Sequence, residues 1–277
     1  MRTLLALLTV PFLALSPALA GETAWQELAP GVTLRLISTG IVKADGTTLM
    51  ALEIDMPADT KTYWRVPGDT GLPTQIDFTG SIGVSGHEMH WPYPVRDQKA
   101  DYLDYVYFGH VVLPFAVTVD DPAGRVEAAV TLGVCAEICI PAQARLSLEL
   151  RDAAPDRANG LRIRQALASV PARWAEPDEP IGAVEVLDGG KAIGVWINDD
   201  GFDPASLIAS TQEGFPVFGA PQKSPQTNLV TLPIHGKTDN SALQGKIVQL
   251  TFMTGMGAFE VSRTIGKPVD DVTAPRP

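Results

Sequence analysis

Hydrophobic and polar positions alternate with a period of two along most of this chain. In TLMALEIDM (48–56), Met50, Leu52, Ile54 and Met56 fall on one face, opposite Ala51, Glu53 and Asp55. RVEAAVTLGVC (125–135) places Val126, Val130, Leu132 and Val134 on one face, and ARLSLEL (144–150) does the same with Leu146, Leu148 and Leu150. Successive side chains of a strand point to opposite faces, so the pattern predicts half-buried antiparallel strands. VVLPFAVTV (111–119) reads as a further strand, too short to span a bilayer and interrupted by Pro114. Turn clusters such as VPGDTGLP (66–73) and DDPAG (120–124) separate these segments.

The period changes once. Within residues 152–180, Ile163, Leu167 and Val170 recur at helical spacing, predicting a helix over about 156–169 that Pro171 stops. EPDEP (176–180) reads as a linker. Strand signals resume in KAIGVWIND (191–199), NLVTLPIHG (228–236), KIVQLTFM (246–253) and AFEVSRTI (258–265). The expected fold class is all-β, two β-sandwich domains joined by a short helical connector. The expected bounds are 21–152 for the first domain, 153–180 for the connector, 181–266 for the second domain and 267–277 for a flexible tail.

The first twenty residues, MRTLLALLTVPFLALSPALA, stand outside the alternation. Arg2, an apolar run from Leu4 to Leu15 and Ala18-Leu19-Ala20 make the pattern of a cleaved secretory signal peptide. The mature chain is expected to begin near Gly21 and to work in an oxidising space, the periplasm, without membrane insertion. The formal charge of −11 becomes −12 once Arg2 is removed, which argues against nucleic acid and anionic lipid as partners.

Both cysteines of the chain, Cys135 and Cys139, lie in LGVCAEICIPAQ (132–143). The alternation of 125–135 puts Cys135 opposite the apolar stripe, and the returning strand from Ala144 makes residues 135–143 a hairpin connection, with Pro141 suiting a turn. Four extended residues span roughly 13 Å and a disulfide needs Cα atoms within about 7 Å, so the intervening residues must turn for a bridge to form. A structural crosslink is the ordinary reading of a cysteine pair in an exported protein. So small a ring, however, removes only about 2 kcal/mol of chain entropy, against about 4 kcal/mol for a crosslink over some sixty residues. Short, exposed disulfides are more often labile and exchange with thiols. No Lys, Arg or His lies between Val126 and Ala144, and Glu137 disfavours a thiolate. The pair suits a disulfide that a partner's thiolate attacks, or a dithiol that passes electrons on.

TKTYWRVPGDTGLPTQIDFTGS (60–81), WPYPVR (91–96), YVYFGHVVLP (105–114) and GVCAEICIPAQARLSL (133–148) follow one another in an order that resembles the N-terminal periplasmic region of DsbD-type protein-disulfide reductases. The resemblance is closer to the ScsB-like branch, which is linked with copper tolerance. It covers much of 30–150 and, more weakly, the second β-domain. It implies immunoglobulin-like domains and a thiol–disulfide oxidoreductase without cofactors. Cys135 and Cys139 match the active pair, which cycles between disulfide and dithiol. A membrane-embedded thiol reductase is the implied electron donor, and periplasmic thioredoxin-like proteins are the implied acceptors. A cap loop over the pair is expected at Tyr105, Tyr107 and Phe108, before Gly109. The transmembrane conduit and the thioredoxin-like domain of that family have no counterpart in these 277 residues, so a stand-alone carrier is expected.

The alternative is a non-catalytic binding or adaptor module, copper-related in one version, with a structural disulfide. His87 and His90 in GHEMHWP do not form the HExxH helix motif and read as loop residues, and no metal site is expected. Met253 and Met256 read as packing residues around a Gly turn, and Trp64 as core. No Ser/His/Asp pattern, phosphate-cradling Gly loop or paired carboxylates point to hydrolase or nucleotide chemistry.

Overall fold

The computed structural model describes residues 21–121, 123–150, 155–198, 201–236 and 240–266. The signal peptide and the tail expected at 267–277 lie outside the described residues.

Residues 26–149 form two sheets. The first contains β1 (Gln26–Ala29), β2 (Val32–Val42), β3 (Thr47–Asp55), β6 (Val84–Met89) and β9 (Val111–Val119), in the spatial order β1-β2-β3-β9-β6. The second contains β4 (Lys61–Gly68), β5 (Gln75–Asp77), β7 (Val95–Gln98), β8 (Leu103–Phe108), β10 (Arg125–Cys135) and β11 (Cys139–Glu149). Its order is β11-β10-β4-β8-β7, with β5 paired to β10. The expected stripes meet between the sheets: Met50, Leu52 and Ile54 join Val126, Val130, Leu132, Leu146 and Leu148 in one buried cluster around Trp64.

The helix α1 (Arg157–Leu167) starts where Asp156 caps it by accepting a bond from the Asn159 amide. It lies on the outer face of the first sheet, where Ile163 packs with Ile37, Ala51 and Val112. This changes the expectation for β3, whose second face is not solvated. Ala51 and Glu53 are buried there, and Glu53 is paired with Arg35 at 2.7 Å. A helix three positions of which are apolar can cover a sheet face that alternation alone marks as exposed.

Four strands each form two further sheets: Ala172–Arg173, Gly257–Thr264, Ile247–Thr254 and Ile208–Ser210 in one, and Ile181–Leu187, Ala192–Ile197, Leu229–Pro233 and Gln222–Lys223 in the other. Their core holds Ile193, Val195, Leu232, Leu250 and Phe252. This second pair of sheets docks against the first. Ile208 joins the Trp64 cluster, Arg96 donates to the Ala205 and Leu207 carbonyls, Arg65 pairs with Glu260, and His235 Nδ1 lies 2.9 Å from Asp69.

Candidate functional site

Strands β10 and β11 remain in register from Arg125 opposite Glu149 up to Cys135 opposite Cys139. Only residues 136–138 close the hairpin, so the turn is shorter than the expected 135–143. Pro141 sits within β11, where an edge strand tolerates its missing amide hydrogen. Cys135 and Cys139 are bonded to each other, with Cα atoms 4.1 Å apart. The two sulfurs differ in access: Cys135 is 1 % exposed, whereas Cys139 is exposed between Ile138 (76 %) and Ile140 (42 %).

The place of each strand in the sheet explains the difference, since β10 lies inside it and β11 at its edge. Cys135 does face away from the main core, as its place off the apolar stripe predicted. That outer face is covered by a separate cluster of Tyr63, Val106 and Cys135. Across the sheet, Cys135 pairs with Lys61, and Lys61 pairs in turn with Phe108. Residues directly opposite in antiparallel strands share a face, so Cys135, Lys61, Tyr63, Val106 and Phe108 stand on one side. Tyr105 and Tyr107 stand on the other. Both are buried in the main core, where Tyr105 meets Trp64 edge-on and the Tyr107 hydroxyl donates to the Pro92 carbonyl. Of the three expected cap residues, the structure brings only Phe108, 39 % exposed, to the face of the disulfide. Tyr105 and Tyr107 are excluded from it by the one-residue phase of β8.

Tyr63 occupies the place over the sulfurs. Its hydroxyl lies 2.7 Å from Cys135 Sγ and 3.4 Å from Cys139 Sγ. Disulfide sulfurs carry no hydrogen, so Tyr63 is the donor. Burial raises its hydroxyl above the ordinary value, against the pull of Lys61, which keeps the donor proton in place at neutral pH. The ring stands in a slot between two glycines. A Cβ on Gly71 would come within 2.2 Å of Tyr63 Cδ1, and one on Gly133 within 2.9 Å of Cδ2. Gly71 belongs to the turn 69–74, which folds down on the ring and is tied to β10 where Gly133 donates to the Leu72 carbonyl.

A buried charge cluster holds this turn. Lys61 Nζ reaches Asp97 at 2.7 Å and Asp104 at 3.1 Å, and Asp104 also accepts from the Thr70 amide and hydroxyl. Burial alone would lower the Lys61 pKa, but its bonds to Asp97 and Asp104 outweigh that and raise it above the ordinary range. Sequence reasoning passed over Tyr63, Lys61, Gly71 and Gly133. The available signal was the parity of KTYWR, which sets Lys61 and Tyr63 on the face opposite Trp64. Which strand neighbours that face cannot be read from parity.

Elsewhere, His87 lies on the edge strand β6 with its ring 4.5 Å from Phe78. Among the described residues no group of three or more His, Cys, Asp or Glu side chains is placed to hold a metal ion. Also among these residues, no helix is long and apolar enough to cross a membrane.

Residues 35–151 match the family model described as thiol:disulfide interchange protein DsbD, N-terminal. Among solved structures, the N-terminal periplasmic domain of ScsB from Proteus mirabilis superposes with a TM-score of 0.73 at 21 % identity. The alignment covers 90 % of this chain and 99 % of that one. A marsupial T cell receptor aligns with a TM-score of only 0.18 at 11 % identity and carries no argument. No match was found among curated proteins. The resemblance read from the sequence is thereby borne out, as is a mostly β chain with an immunoglobulin-like sandwich fold.

Proposed function

We propose, on the premise that residues 35–151 match the DsbD N-terminal family, that this protein exchanges thiols and disulfides through Cys135 and Cys139. The observation that carries the reading is the unequal access of the two sulfurs: one exposed at a hairpin tip, the other buried beneath a hydrogen-bond donor. A structural crosslink has no use for that asymmetry. An exchange centre needs one sulfur for the partner to reach and a second held ready to leave or return.

In the proposed cycle a donor thiolate attacks Cys139 Sγ. The Cys135–Cys139 bond breaks and its electron pair passes to Cys135 Sγ, where the thiolate accepts the Tyr63 hydroxyl. The donor's second thiol then attacks its own sulfur in the mixed disulfide, leaving the donor oxidised and Cys135 and Cys139 as a dithiol. In the second half, Cys139 thiolate attacks an acceptor disulfide. Cys135 thiolate then attacks Cys139 Sγ, restoring the disulfide and releasing the acceptor reduced. Two electrons move in each half.

Ile138 and Ile140 flank Cys139 as exposed apolar residues at the hairpin tip and Phe108 is exposed on the face of the disulfide, a surface that suits docking of a folded protein partner rather than a small hydrophilic thiol. We place the cycle in the periplasm, with a membrane-embedded thiol reductase as donor and thioredoxin-like proteins as acceptors. In this reading residues 21–152 form the redox domain and 181–266 a second sandwich domain. Equilibration with glutathione buffers and trapping of free thiols measures the potential of the pair. A value between roughly −180 and −270 mV supports a carrier, whereas one well below about −300 mV marks a structural bridge and returns the protein to the class of binding modules.

A further inference from the structure

The turn that presses Tyr63 onto the disulfide also touches the second pair of sheets. Asp69, at the head of that turn, donates its amide to the Leu103 carbonyl and accepts the Leu103 amide on its carboxylate. The same carboxylate lies 2.9 and 3.0 Å from His235 Nδ1. His235 follows the strand Leu229–Pro233, and its own amide donates to the Val217 carbonyl. A Cβ on Gly219 would come within 2.7 Å of His235 Nε2, so the ring is seated closely against its own half of the molecule. A second tie reaches β4 two residues beyond Tyr63: Arg65 pairs with Glu260, which also accepts from the Thr251 hydroxyl.

We propose that His235 is a positioning residue through which the second pair of sheets holds the turn 69–74 closed over Tyr63, and so sets how readily the Cys135–Cys139 disulfide is attacked. The path is short and made of direct contacts: His235 on Asp69, Thr70 on Asp104, Gly71 against the Tyr63 ring, and the Tyr63 hydroxyl on Cys135 Sγ. Asp69 and His235 are only partly exposed, at 24 % and 36 %, and the pair acts in addition to the anchors that Asp104 supplies. Loss of the tie loosens the turn without unfolding it. The second pair of sheets thereby has a role at the redox centre without contributing an atom to the chemistry. The inference rests on the exchange reading for its purpose, but its geometry is testable apart from it.

The test is the rate at which dithiothreitol reduces the disulfide in the full chain, followed by trapping free thiols. His235→Ala is expected to raise that rate about two- to fivefold, the range for one partly exposed charge-assisted tie. His235→Asn keeps an amide donor near the position of Nδ1 and is expected to return the rate to within about 1.5-fold of wild type. Trp196→Phe, which removes the bond from Trp196 to Glu185 outside this contact, controls for a general loss of stability. An unchanged rate in His235→Ala, equal acceleration in His235→Asn, or equal acceleration in Trp196→Phe overturns the proposal. The glutathione potential of the wild-type pair is a separate measurement. A structural value there defeats the exchange reading and leaves the rates to decide whether His235 governs access.

Discussion

The hydroxyl of Tyr63 lies 2.7 Å from the sulfur of Cys135, a residue seventy-two positions further along the chain. A donor held so close interacts weakly with a disulfide sulfur and more strongly with the thiolate that replaces it, since hydrogen bonds to charged groups are the stronger kind. Tyr63 therefore favours the reduced form of the pair.

Tyr63→Phe tests this directly. It keeps the ring in its slot and removes the donor. The reduction potential is expected to become more negative by up to about 30 mV, equivalent to about 1.4 kcal/mol for a two-electron couple. Glutathione equilibration reads the shift, and an unchanged or more oxidising value would show that the hydroxyl does not act on the thiolate.

Gly71→Ala addresses the slot. The added Cβ, 2.2 Å from Tyr63 Cδ1, must displace either the ring or the turn, because the ring is backed by Gly133 on its other side. A loss of about 1–3 kcal/mol in urea unfolding is expected, the range for overpacking, together with faster reduction by a small thiol. Stability equal to wild type would mean that the turn yields at no cost and clamps nothing.

Single-cysteine variants separate the roles of the sulfurs. In Cys135→Ser the remaining Cys139 is exposed, and it is expected to react with a disulfide reagent at least about tenfold faster than the buried Cys135 left by Cys139→Ser. Cys135→Ser is also the variant expected to retain a partner as a mixed disulfide. Equal rates would remove the assignment of Cys139 as the attacked sulfur.

Acid should loosen the first pair of sheets. Although burial alone would raise their pKa values, Glu53 is held below the ordinary value by bonds to His110 and Arg35, and Asp97 by Lys61. A carboxylate with a depressed folded pKa contributes stability above its unfolded pKa and loses it as pH falls through the folded one. The urea midpoint is therefore expected to fall progressively below about pH 4.5, and Glu53→Gln should make that fall shallower. Lys61 has the opposite sign: its raised pKa stabilises the fold at all pH values below the unfolded lysine range. A Glu53→Gln profile parallel to wild type would remove Glu53 as a source of the acid transition.

Much was legible in the sequence because alternation acts locally. Each strand carries its own record of which residues face a core, so Met50, Leu52 and Ile54 on β3 and Val126, Val130 and Leu132 on β10 could be assigned before any partner strand was known. The place of Cys135 off its stripe follows from the same rule, whereas the hairpin closes more tightly than the expected 135–143, with Cys139 already paired to Cys135. The small size of the ring that the two cysteines close was readable as well, and it limits what the bridge adds to stability.

What tertiary structure alone decided is which strands lie beside one another. Parity puts Tyr63 and Cys135 each on a face opposite the core, but only the pairing of β4 with β10 makes those faces one surface. Tyr105 and Tyr107, adjacent in sequence to Phe108, are turned inward by a phase that depends on the register of β8 with β4. The helix over Ala51 and Glu53 and the contact of His235 with Asp69 are similar cases, joining segments up to 166 positions apart. Local periodicity fixes how a residue is oriented on its own strand. Its neighbours are chosen by the packing of whole sheets, and the chemistry at the disulfide is made by those neighbours.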